Sequence, residues 1–364
     1  MKGLVGAFLK EVPRDHMFTL VDVGSMGITE AERVGDGEWA HCGDDIRIFG
    51  FEPDEREFSK LASLPNRSFL NVALSQKSED LKLYISRESG KTSVYRPNFS
   101  ALSSFPRAER FETVNEVLIP ASRVGRLDTT LSQHQVLDVD FLKLDTQGSE
   151  LSILRGSQDY LCGSILGVNV EVEFFEIYKD QPLFADVDSY MRANGFQLMD
   201  LRKFSWKRSD HSNWVGRGQL VFGDALYFKT PEAFIASLEN SDARYAQNKT
   251  IKFVAACLVY GMRDYAVFLL NLACRHGYIA EHLKEQLAAR IKADDRQLRN
   301  VWFYGYRFFR SFLLIVKRRM FPRSWQDSVD SDWVLGNPRV PRWTELVSWM
   351  EIRKFIKKNR NRPS

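Results

Sequence analysis

Three carboxylates stand near the points where predicted strands of this chain end. Asp145 closes the apolar run FLKLD and leads directly into a helix start, and Glu171 and Glu173 lie in the run VNVEVEF. In open α/β sheets, catalytic and binding groups gather at the carboxyl ends of the strands. Side chains two positions apart in a strand point to the same side, so Glu171 and Glu173 are expected to share one face. The pattern predicts a polar site at one edge of a sheet.

Such carboxylates could do two kinds of chemistry. One could take a proton while a neighbour orients it, or Asp145, Glu171 and Glu173 together could hold a divalent metal ion. Oxygen ligands would suit Mg²⁺ better than Zn²⁺. The structural alternative is that one of the glutamates pairs with an arginine or lysine. The sequence assigns no metal ligand, and a magnesium ion stays open.

The elements that would position these groups begin near the amino terminus. The segment LVDVGSMG is a strand ending in Asp22, followed by a turn that contains Gly24 and Gly27. Glycines at a strand-to-helix turn let the backbone approach a ligand closely. The next strand, IFGFE, ends in Glu52, the position from which an acid binds ribose hydroxyls in nucleotide-binding folds. Together with Asp145, these features predict an adenosine-type pocket, although a single strand-end glutamate is usually a solvated turn residue.

The 364-residue chain changes character near residue 230. Before it, short β-rich runs alternate with helical stretches, which predicts a mostly parallel sheet covered on both faces. Strands are predicted at 18–24, 46–52, 68–75, 140–145, 164–174, 196–201 and 218–228. After it, the periodicity is helical, and Thr230 followed by Pro231 is a good helix start. We therefore expect an α/β domain over residues 1–229 and a helical C-terminal domain over 230–364, whose role is unknown and could be membrane or partner binding.

Composition narrows the class of protein. Hydrophobic residues make up 44% and charged residues 27%, which indicates a globular chain. The net charge of +4 is nearly neutral for this length and gives no reason to expect a nucleic-acid partner. Its four cysteines are scattered without metal-binding spacing, which favours reduced thiols and a cytoplasmic location. The first residues lack the apolar run of a signal peptide.

Several blocks of the sequence resemble one family, the FkbM-type methyltransferases, which use S-adenosylmethionine and mostly methylate hydroxyls. The blocks, spread over residues 18–228, are LVDVGSMG (20–27), FEPD (51–54), NVALS (71–75), TSVYRPN (92–98), RLDTTL (126–131), FLKLDTQGSELSILRGS (141–157), VNVEVEFFEIYKDQPLFADVDSYMRANGF (168–196) and GDALYF (223–228). The resemblance implies a class I methyltransferase fold, a Rossmann-like seven-stranded sheet whose last strand is antiparallel, here with a C-terminal all-α extension.

The resemblance also implies roles for particular residues. The cofactor-binding positions carried over are Asp22, Gly24, Ser25, Met26, Gly27, Glu52, Asn71, Ala73 and Asp145. Glu52 would hold the ribose hydroxyls, and Asp145 would stand beside the sulfonium. Where the family more often has a small residue and an asparagine, this chain has Ser25 and Met26. An alcohol needs help to lose its proton, and the candidate catalytic residues for that step are Asp145, Glu171 and Glu173.

Loop residues supply candidates for the acceptor. Tyr95, Arg96, Gln147, Tyr178 and Gln181 offer stacking and hydrogen bonds suited to a polyhydroxylated substrate, although such loops usually only connect elements. The expected acceptor is a hydroxyl of a sugar or glycan, which could be lipid-linked. The alternatives are a small secondary-metabolite hydroxyl, or a non-catalytic module that binds cofactor or glycan.

The stretch 300–325 combines aromatic and aliphatic residues with Lys317, Arg318 and Arg319. It could be an amphipathic helix on an anionic membrane, which would place the protein peripherally at the inner membrane face. The alternative is a helix that packs its aromatic stripe into the core. The oligomeric state cannot be read from the sequence.

Overall fold

The computed structural model describes residues 2–24, 39, 42–61, 65–211, 218–300 and 334–335. The helices are α1 (Lys2–Leu9), α2 (Glu55–Phe58), α3 (Phe99–Leu102), α4 (Leu127–Gln133), α5 (Glu150–Arg155), α6 (Gln158–Cys162), α7 (Phe184–Ala193), α8 (Pro231–Leu238), α9 (Ala243–Val259), α10 (Arg263–Arg275) and α11 (Glu281–Asn300). The strands are β1 (Phe18–Val23), β2 (Ile46–Phe51), β3 (Arg67–Leu70), β4 (Ala73–Leu74), β5 (Leu81–Ser86), β6 (Thr113–Ile119), β7 (Val124–Gly125), β8 (Phe141–Leu144), β9 (Gly167–Glu173), β10 (Phe196–Trp206), β11 (Gln219–Lys229) and β12 (Val334–Leu335).

One sheet runs through the described part of the chain in the order β12-β10-β11-β9-β8-β1-β2-β3. The two-residue β12 extends its edge, and the other seven strands form the sheet that the resemblance implies. Neighbouring strands are parallel except for β11, which is antiparallel to both β9 and β10. This order, with only the last of the seven strands reversed, is that of the class I methyltransferase fold. The fold-class prediction is therefore confirmed.

Alternating side chains divide the sheet between two apolar layers. In β1, Leu20 belongs to a cluster with α1, α8, α9 and α10, whereas Val21 belongs to a cluster with α4, α5 and α7. A parallel sheet needs cover on both faces, because both sides of its strands are apolar. The side chains that build the site described below point to the same face of the sheet as Leu20, which is the face that α9 covers.

The helical character predicted after residue 230 is confirmed for residues 231–300. Thr230 caps the first of these helices, since its hydroxyl accepts a hydrogen bond from the backbone N–H of Ala233 at 3.2 Å. Helices α8–α10 pack in the same apolar cluster as strands of the sheet. The division into domains 1–229 and 230–364 stays a prediction.

Helix α9 is also tied to the sheet by buried charges. Lys249 Nζ lies 2.5 Å from Asp140 Oδ1 and 2.7 Å from Asp138 Oδ1, and Lys252 Nζ lies 2.9 Å from Asp140 Oδ2. Asp140 and both lysines are almost fully buried. Because Asp138 and Asp140 immediately precede β8, this amino-edge network lies at the end of the sheet opposite to Asp145.

The sequence did not predict the hairpin formed by β5 and β6. It is inserted after β4, and its buried face consists of residues such as Leu83, Ile85 and Ile119. Most of β6 is exposed, so its sequence TVNEVLI lacks the clear alternation of a half-buried strand. The segment that links β5 to β6 reaches the carboxyl edge of the main sheet and contributes to the site.

No helix among the described residues is long and apolar enough to cross a membrane. Apart from residue 300, the stretch 300–325 lies outside the described residues, so both interpretations of it stay predictions.

Candidate active site

Strand register brings the strand-end carboxylates into one row. Asp22 on β1 is level with Lys143 on β8, which is level with Asn169 on β9. Asp145 and Glu171 each lie two residues further along the chain, so they are neighbours on the same face. Glu171 is in turn directly opposite Asp224 on β11. The predicted closeness of Asp145 and Glu171 therefore follows from pairing between adjacent strands.

Gly24 allows Asp145 to lie close to the end of β1. Its φ is +86°, and a Cβ built on it would lie 1.9 Å from the backbone carbonyl oxygen of Asp145. The backbone N–H of Asp145 donates to the carbonyl of Val23 at 3.1 Å, which joins the two strand ends. A side chain at position 24 would force these strand ends apart. Ser25, Met26 and Gly27, the other predicted residues of this turn, lie outside the described residues.

Asp22 faces a lysine. Its Oδ1 lies 3.0 Å from Lys143 Nζ, and the Asp22 side chain is almost fully buried. The negative charge of Asp22 is the main reason that the pKa of Lys143 is raised above its ordinary value, although burial opposes it. Asp22 thus positions a cation between β1 and β8, below the row that contains Asp145.

Glu52 lies where the ribose-binding acid was predicted. Its side chain is buried, and Oε1 accepts a hydrogen bond from the backbone N–H of Asp54 at 2.8 Å. Burial raises the pKa of Glu52 to about 8. Asn71 stabilises the backbone at Glu52, since its Nδ2 donates a hydrogen bond to the carbonyl of Glu52 at 3.1 Å. Ala73 lies nearby and is buried.

A cavity of about 300 Å³ connects these groups. Glu52 and Ala73 line one end, Gly24 and Asp145 line the middle, and Phe222 lines the other end. Its volume is at the lower end of the range for pockets that bind small molecules. Five of the residues predicted for cofactor or catalysis therefore open into one space: Gly24, Glu52, Ala73, Asp145 and Glu171.

Gln147 links the carboxyls of Asp145 and Glu171. Its Nε2 donates to Asp145 Oδ1 at 3.1 Å and to Glu171 Oε2 at 2.6 Å. Its Oε1 lies 3.1 Å from the hydroxyl of Tyr178, and its backbone carbonyl accepts a hydrogen bond from Ser93 Oγ at 2.7 Å. Gln147 was predicted to contact substrate, and the structure places it as the bridge within this carboxyl pair.

The two carboxyls differ in protonation. Desolvation would raise the pKa of Asp145, but a hydrogen bond with Glu171 and the charge of Lys143 lower it. For Glu171, burial and the negative charge of Asp145 raise the pKa well above its ordinary value. The two shifts have opposite directions, so Asp145 holds the negative charge more readily than Glu171.

The turn after Asp145 is held in an uncommon backbone conformation. Gln147 has φ +59° and Gly148 has φ +108°, both in the left-handed region. Glu150, at the start of α5, accepts hydrogen bonds from the backbone N–H groups of Thr146 at 2.7 Å and Gly148 at 2.9 Å. Burial raises the pKa of Glu150 to about 7. Glu150 was not predicted as a site residue, and the structure gives it the role of shaping this turn.

Glu173 lies deeper than Glu171. It is almost fully buried, and burial together with the charge of Glu150 raises its pKa well above the ordinary value. It does not line the cavity. Of the three predicted catalytic carboxylates, Asp145 and Glu171 therefore reach the cavity and Glu173 stands behind them.

The predicted substrate loops pair with each other above the carboxyl edge. The N–H of Asn98 donates to the carbonyl of Ile177 at 2.8 Å, and Pro97 forms a bridge with Tyr178. Arg96 turns outward and donates to the Tyr84 hydroxyl at 3.0 Å, while Tyr178 is fully buried. Among the described residues, none of Tyr95, Arg96, Tyr178 and Gln181 lines the cavity. These residues build the roof of the site.

Two residues of that roof were missed in the sequence. Lys91 and Ser93 line the cavity from the segment between β5 and β6. The positive charge of Lys91 helps to lower the pKa of Asp145, and Ser93 holds the backbone of Gln147. Ser93 lies in the block TSVYRPN, in which the larger Tyr95 and Arg96 were the predicted substrate contacts. Neither an isolated lysine nor an isolated serine carries a recognisable signal.

The described residues contain no group of three or more histidine, cysteine, aspartate or glutamate side chains placed to hold a metal ion.

Comparison with protein families gives a match over residues 34–198 to the family described as Methyltransferase FkbM domain. The match identifies residues 34–198 as an FkbM methyltransferase domain. The match spans Glu52, Asp145, Glu171 and Glu173, so it includes the end of the cavity at Glu52 and the carboxyl pair, but not Gly24 or Phe222. The resemblance seen in the sequence is confirmed, and the chain is a methyltransferase of a family that uses S-adenosylmethionine. A comparison with curated proteins finds no match.

Solved structures similar to the FkbM protein include other methyltransferases at low similarity. Magnesium protoporphyrin IX methyltransferase from Synechocystis PCC 6803, solved with bound SAM, is 9% identical over 63% of this chain and 79% of its own, with a TM-score of 0.29. A putative rRNA-methylase from Clostridium thermocellum is 8% identical over 63% and 94%, with a TM-score of 0.29. The 23S rRNA methyltransferase ErmE is 10% identical over 80% and 97%, with a TM-score of 0.26. Scores this low support no conclusion about substrate, and the fold rests on the strand order.

Proposed function

We propose that this FkbM protein transfers a methyl group from S-adenosylmethionine to a hydroxyl of a sugar or glycan, with Asp145 as the group that takes the hydroxyl proton. The observation that carries the proposal is the Asp145–Gln147–Glu171 constellation, which opens into the same cavity as Glu52. Asp145 is suited to contact an acceptor hydroxyl. Glu52, which is buried further along the same cavity, is suited to bind a nucleoside.

The residues around the cavity fit the cofactor. A Cβ at Gly24 would fill the space beside Asp145, so this turn is shaped for close approach to a ligand. Glu52 would accept hydrogen bonds from ribose hydroxyls, which are donors that a buried carboxylate needs. Ala73 and Leu74 offer an apolar wall for the adenine. When bound there, S-adenosylmethionine supplies a methyl group already activated by its sulfonium, so transfer depends mainly on alignment.

The protein's own residues would then position the acceptor. Asp145 is acceptor-only while it is ionised, so it orients a hydroxyl by receiving its hydrogen. A hydroxyl oxygen that gains an alkyl group becomes strongly acidic, so a carboxylate with a low pKa is basic enough to remove the proton. Burial and the charge of Asp145 raise the pKa of Glu171, and Gln147 donates hydrogen bonds to both carboxyls. These contacts make Asp145 a better candidate for the base than Glu171 or Glu173.

A sugar acceptor is proposed because hydroxyl donors match the carboxylates around the acceptor end of the cavity. A secondary-metabolite hydroxyl would use the same chemistry. The predictions of a cytoplasmic location and of no nucleic-acid partner stay predictions.

The test is methyl transfer from radiolabelled S-adenosylmethionine to a whole extract of the source cell, separated into sugars, lipid-linked glycans and small non-carbohydrate metabolites. We expect label in a carbohydrate fraction with the native chain and a large loss with Asp145→Asn. Label only in non-carbohydrate metabolites would overturn the acceptor assignment. Cofactor binding without any transfer, equal in the native chain and Asp145→Asn, would instead favour a non-catalytic binding module.

A further inference from the structure

We propose that strands β10 and β11 form the acceptor-binding wall of the cavity, and that Phe204, Phe222 and Asp224 select an uncharged polyhydroxylated ring. The inference rests on the proposed function, because it assigns the acceptor end of the same cavity. It shifts acceptor recognition away from the loop residues Tyr95 and Arg96.

Register places this wall beside the carboxyl pair. Asp224 is directly opposite Glu171 on one side and Arg202 on the other, and Phe222 is directly opposite Glu173 and Phe204. Residues directly opposite in an antiparallel pair point to the same face, with Cβ atoms about 5 Å apart. Phe204, Phe222 and Asp224 therefore continue the row of Asp145 and Glu171, and all of them line the cavity.

The two phenylalanines offer a rigid apolar surface. Their rings are stacked with centroids 4.6 Å apart and an angle of 9° between planes, and both side chains are only half-buried. Trp206 packs against Phe222 edge to face at 6.1 Å and supports the pair from the side. Aromatic surface of this kind pairs with the C–H groups of a ring, and it costs little entropy because the rings are already fixed.

Asp224 supplies the polar part of the wall. Its side chain is 35% exposed, and its Oδ2 lies 3.5 Å from Arg202 Nη1, which orients it. An ionised carboxylate accepts hydrogen bonds but donates none. Ring hydroxyls are donors that match it, so the combination of flat apolar surface and acceptor oxygens fits a sugar ring.

Charge along the cavity argues against an acidic ring. The acidic residues among its described lining are Glu52, Asp54, Glu57, Asp145, Glu171 and Asp224, whereas Lys91 is the basic residue among them. At the acceptor end, the anions of Asp145 and Asp224 would repel a uronate or phosphate held close to the reacting hydroxyl. An uncharged ring meets no such cost.

The experiment is saturation-transfer NMR on the full chain with S-adenosylhomocysteine filling the donor site. The probes are the methyl glycosides of glucose, mannose and galactose, each compared with the methyl glycoside of the corresponding uronic acid. We expect transfer to the ring C–H protons of at least one neutral glycoside, and weaker transfer to its acid. Phe204→Ala and Asp224→Asn should each weaken binding by about tenfold, the size of one lost aromatic or hydrogen-bond contact.

Two further variants separate recognition from folding. Phe204→Leu keeps apolar volume in the wall but removes the flat face, so it should also lose binding while unfolding at nearly the native temperature. Phe268→Ala removes a half-exposed phenylalanine from α10, away from the cavity, and should bind like the native chain.

The inference fails if no neutral glycoside receives transfer, if the uronic acids bind better, or if Phe204→Ala and Phe204→Leu both bind as the native chain does. Titration with S-adenosylmethionine distinguishes this failure from a wrong function. A chain that binds the cofactor but not the neutral rings refutes the acceptor wall alone, and a chain that binds no cofactor refutes the proposed function itself.

Discussion

Both ends of the central sheet bury several charged groups. Acids and bases are paired at the amino edge, whereas acids are in excess at the carboxyl edge. At the amino edge, Asp138 and Asp140 meet Lys249 and Lys252 with nitrogen-to-oxygen distances of 2.5 to 3.2 Å. Burial would raise the pKa of Asp138, but the two lysines lower it to about 2. Acids and bases match in number, so every charge in this network is compensated.

At the carboxyl edge the acids are in excess. Glu150, Glu171 and Glu173 all have raised pKa values, first because they are buried and then because they face one another or Asp145. The paired charges at the amino edge fix a helix to the sheet. The carboxyls at the carboxyl edge can instead interact with a ligand. Strongly shifted pKa values in a cavity are typical of functional sites. Charged residues that are paired therefore have a structural role at the amino edge, whereas the excess acids at the carboxyl edge are suited to chemistry.

The largest effect is expected from removing the anion of the carboxyl edge. Asp145→Asn should lower the rate of methyl transfer by about 100- to 10,000-fold, the usual contribution of a positioned proton acceptor. Because the amide keeps the shape of the side chain, the free energy of unfolding should hardly change. Rates with saturating cofactor measure the effect, and Asp200→Asn, on the exposed part of β10, is the matched control. An Asp145→Asn variant with native rates would remove Asp145 from the mechanism.

The corresponding change at the amino edge should affect stability and not chemistry. Lys249→Met leaves Asp140 buried without one of its cations, and should lower the free energy of unfolding by about 3–5 kcal/mol. Urea denaturation measures this loss. Lys284→Met breaks the exposed pair with Glu281 and should cost much less, because solvent screens an exposed ion pair. Equal costs for the two lysines would contradict the structural role of the amino-edge network.

Gly24 tests how closely the strand ends of the carboxyl edge must meet. Gly24→Ala adds a Cβ at 1.9 Å from the Asp145 carbonyl to a residue with φ +86°. Gly261 has φ +77° with open space around it, so Gly261→Ala should cost only the conformational strain of about 1–2 kcal/mol. We expect Gly24→Ala to cost clearly more and to weaken cofactor binding, as measured by denaturation and calorimetry. If the two variants behave alike, the close approach at Gly24 has no consequence.

The two edges should also differ in pH dependence. A carboxyl whose pKa is raised by folding stabilises the fold below its ordinary pKa and loses that contribution as pH rises through the folded value. For Glu52, from 4.5 to about 8, the cofactor-free protein should lose at most about 1.4 kcal/mol per pH unit. Glu52→Gln should flatten this slope. Asp138 has the opposite sign, because its lowered pKa makes stability fall as pH drops from 3.8 towards 2. A profile that rises steadily from pH 5 to 8 would contradict the acid excess.

The sequence predicted the strand-end groups well because they depend on local pattern. The run FLKLD marks a strand and its last residue, and the spacing of Glu171 and Glu173 fixes their common face. The same reasoning located Glu52. The alternation of strands and helices also predicted a mostly parallel sheet, and the family resemblance implied its seven strands with the last one antiparallel.

What the sequence did not reveal depends on contacts between distant parts of the chain. Lys249 and Asp140 are 109 residues apart, and nothing near either one indicates a partner. The bridging role of Gln147 needs the left-handed turn that Glu150 stabilises, and local propensity does not predict such a turn for glutamine. Lys91 reaches the site only because the hairpin of β5 and β6 folds over the carboxyl edge.

The central claim is that the carboxyl edge is a cofactor site, and the direct test is calorimetric titration of S-adenosylmethionine into the full chain. We expect about one molecule to bind per chain with a sub-millimolar dissociation constant. Binding should weaken in Glu52→Gln and stay unchanged in Lys82→Ala, which alters only the exposed pair on β5. Absence of binding at sub-millimolar cofactor, or binding that is indifferent to Glu52→Gln, would contradict the account.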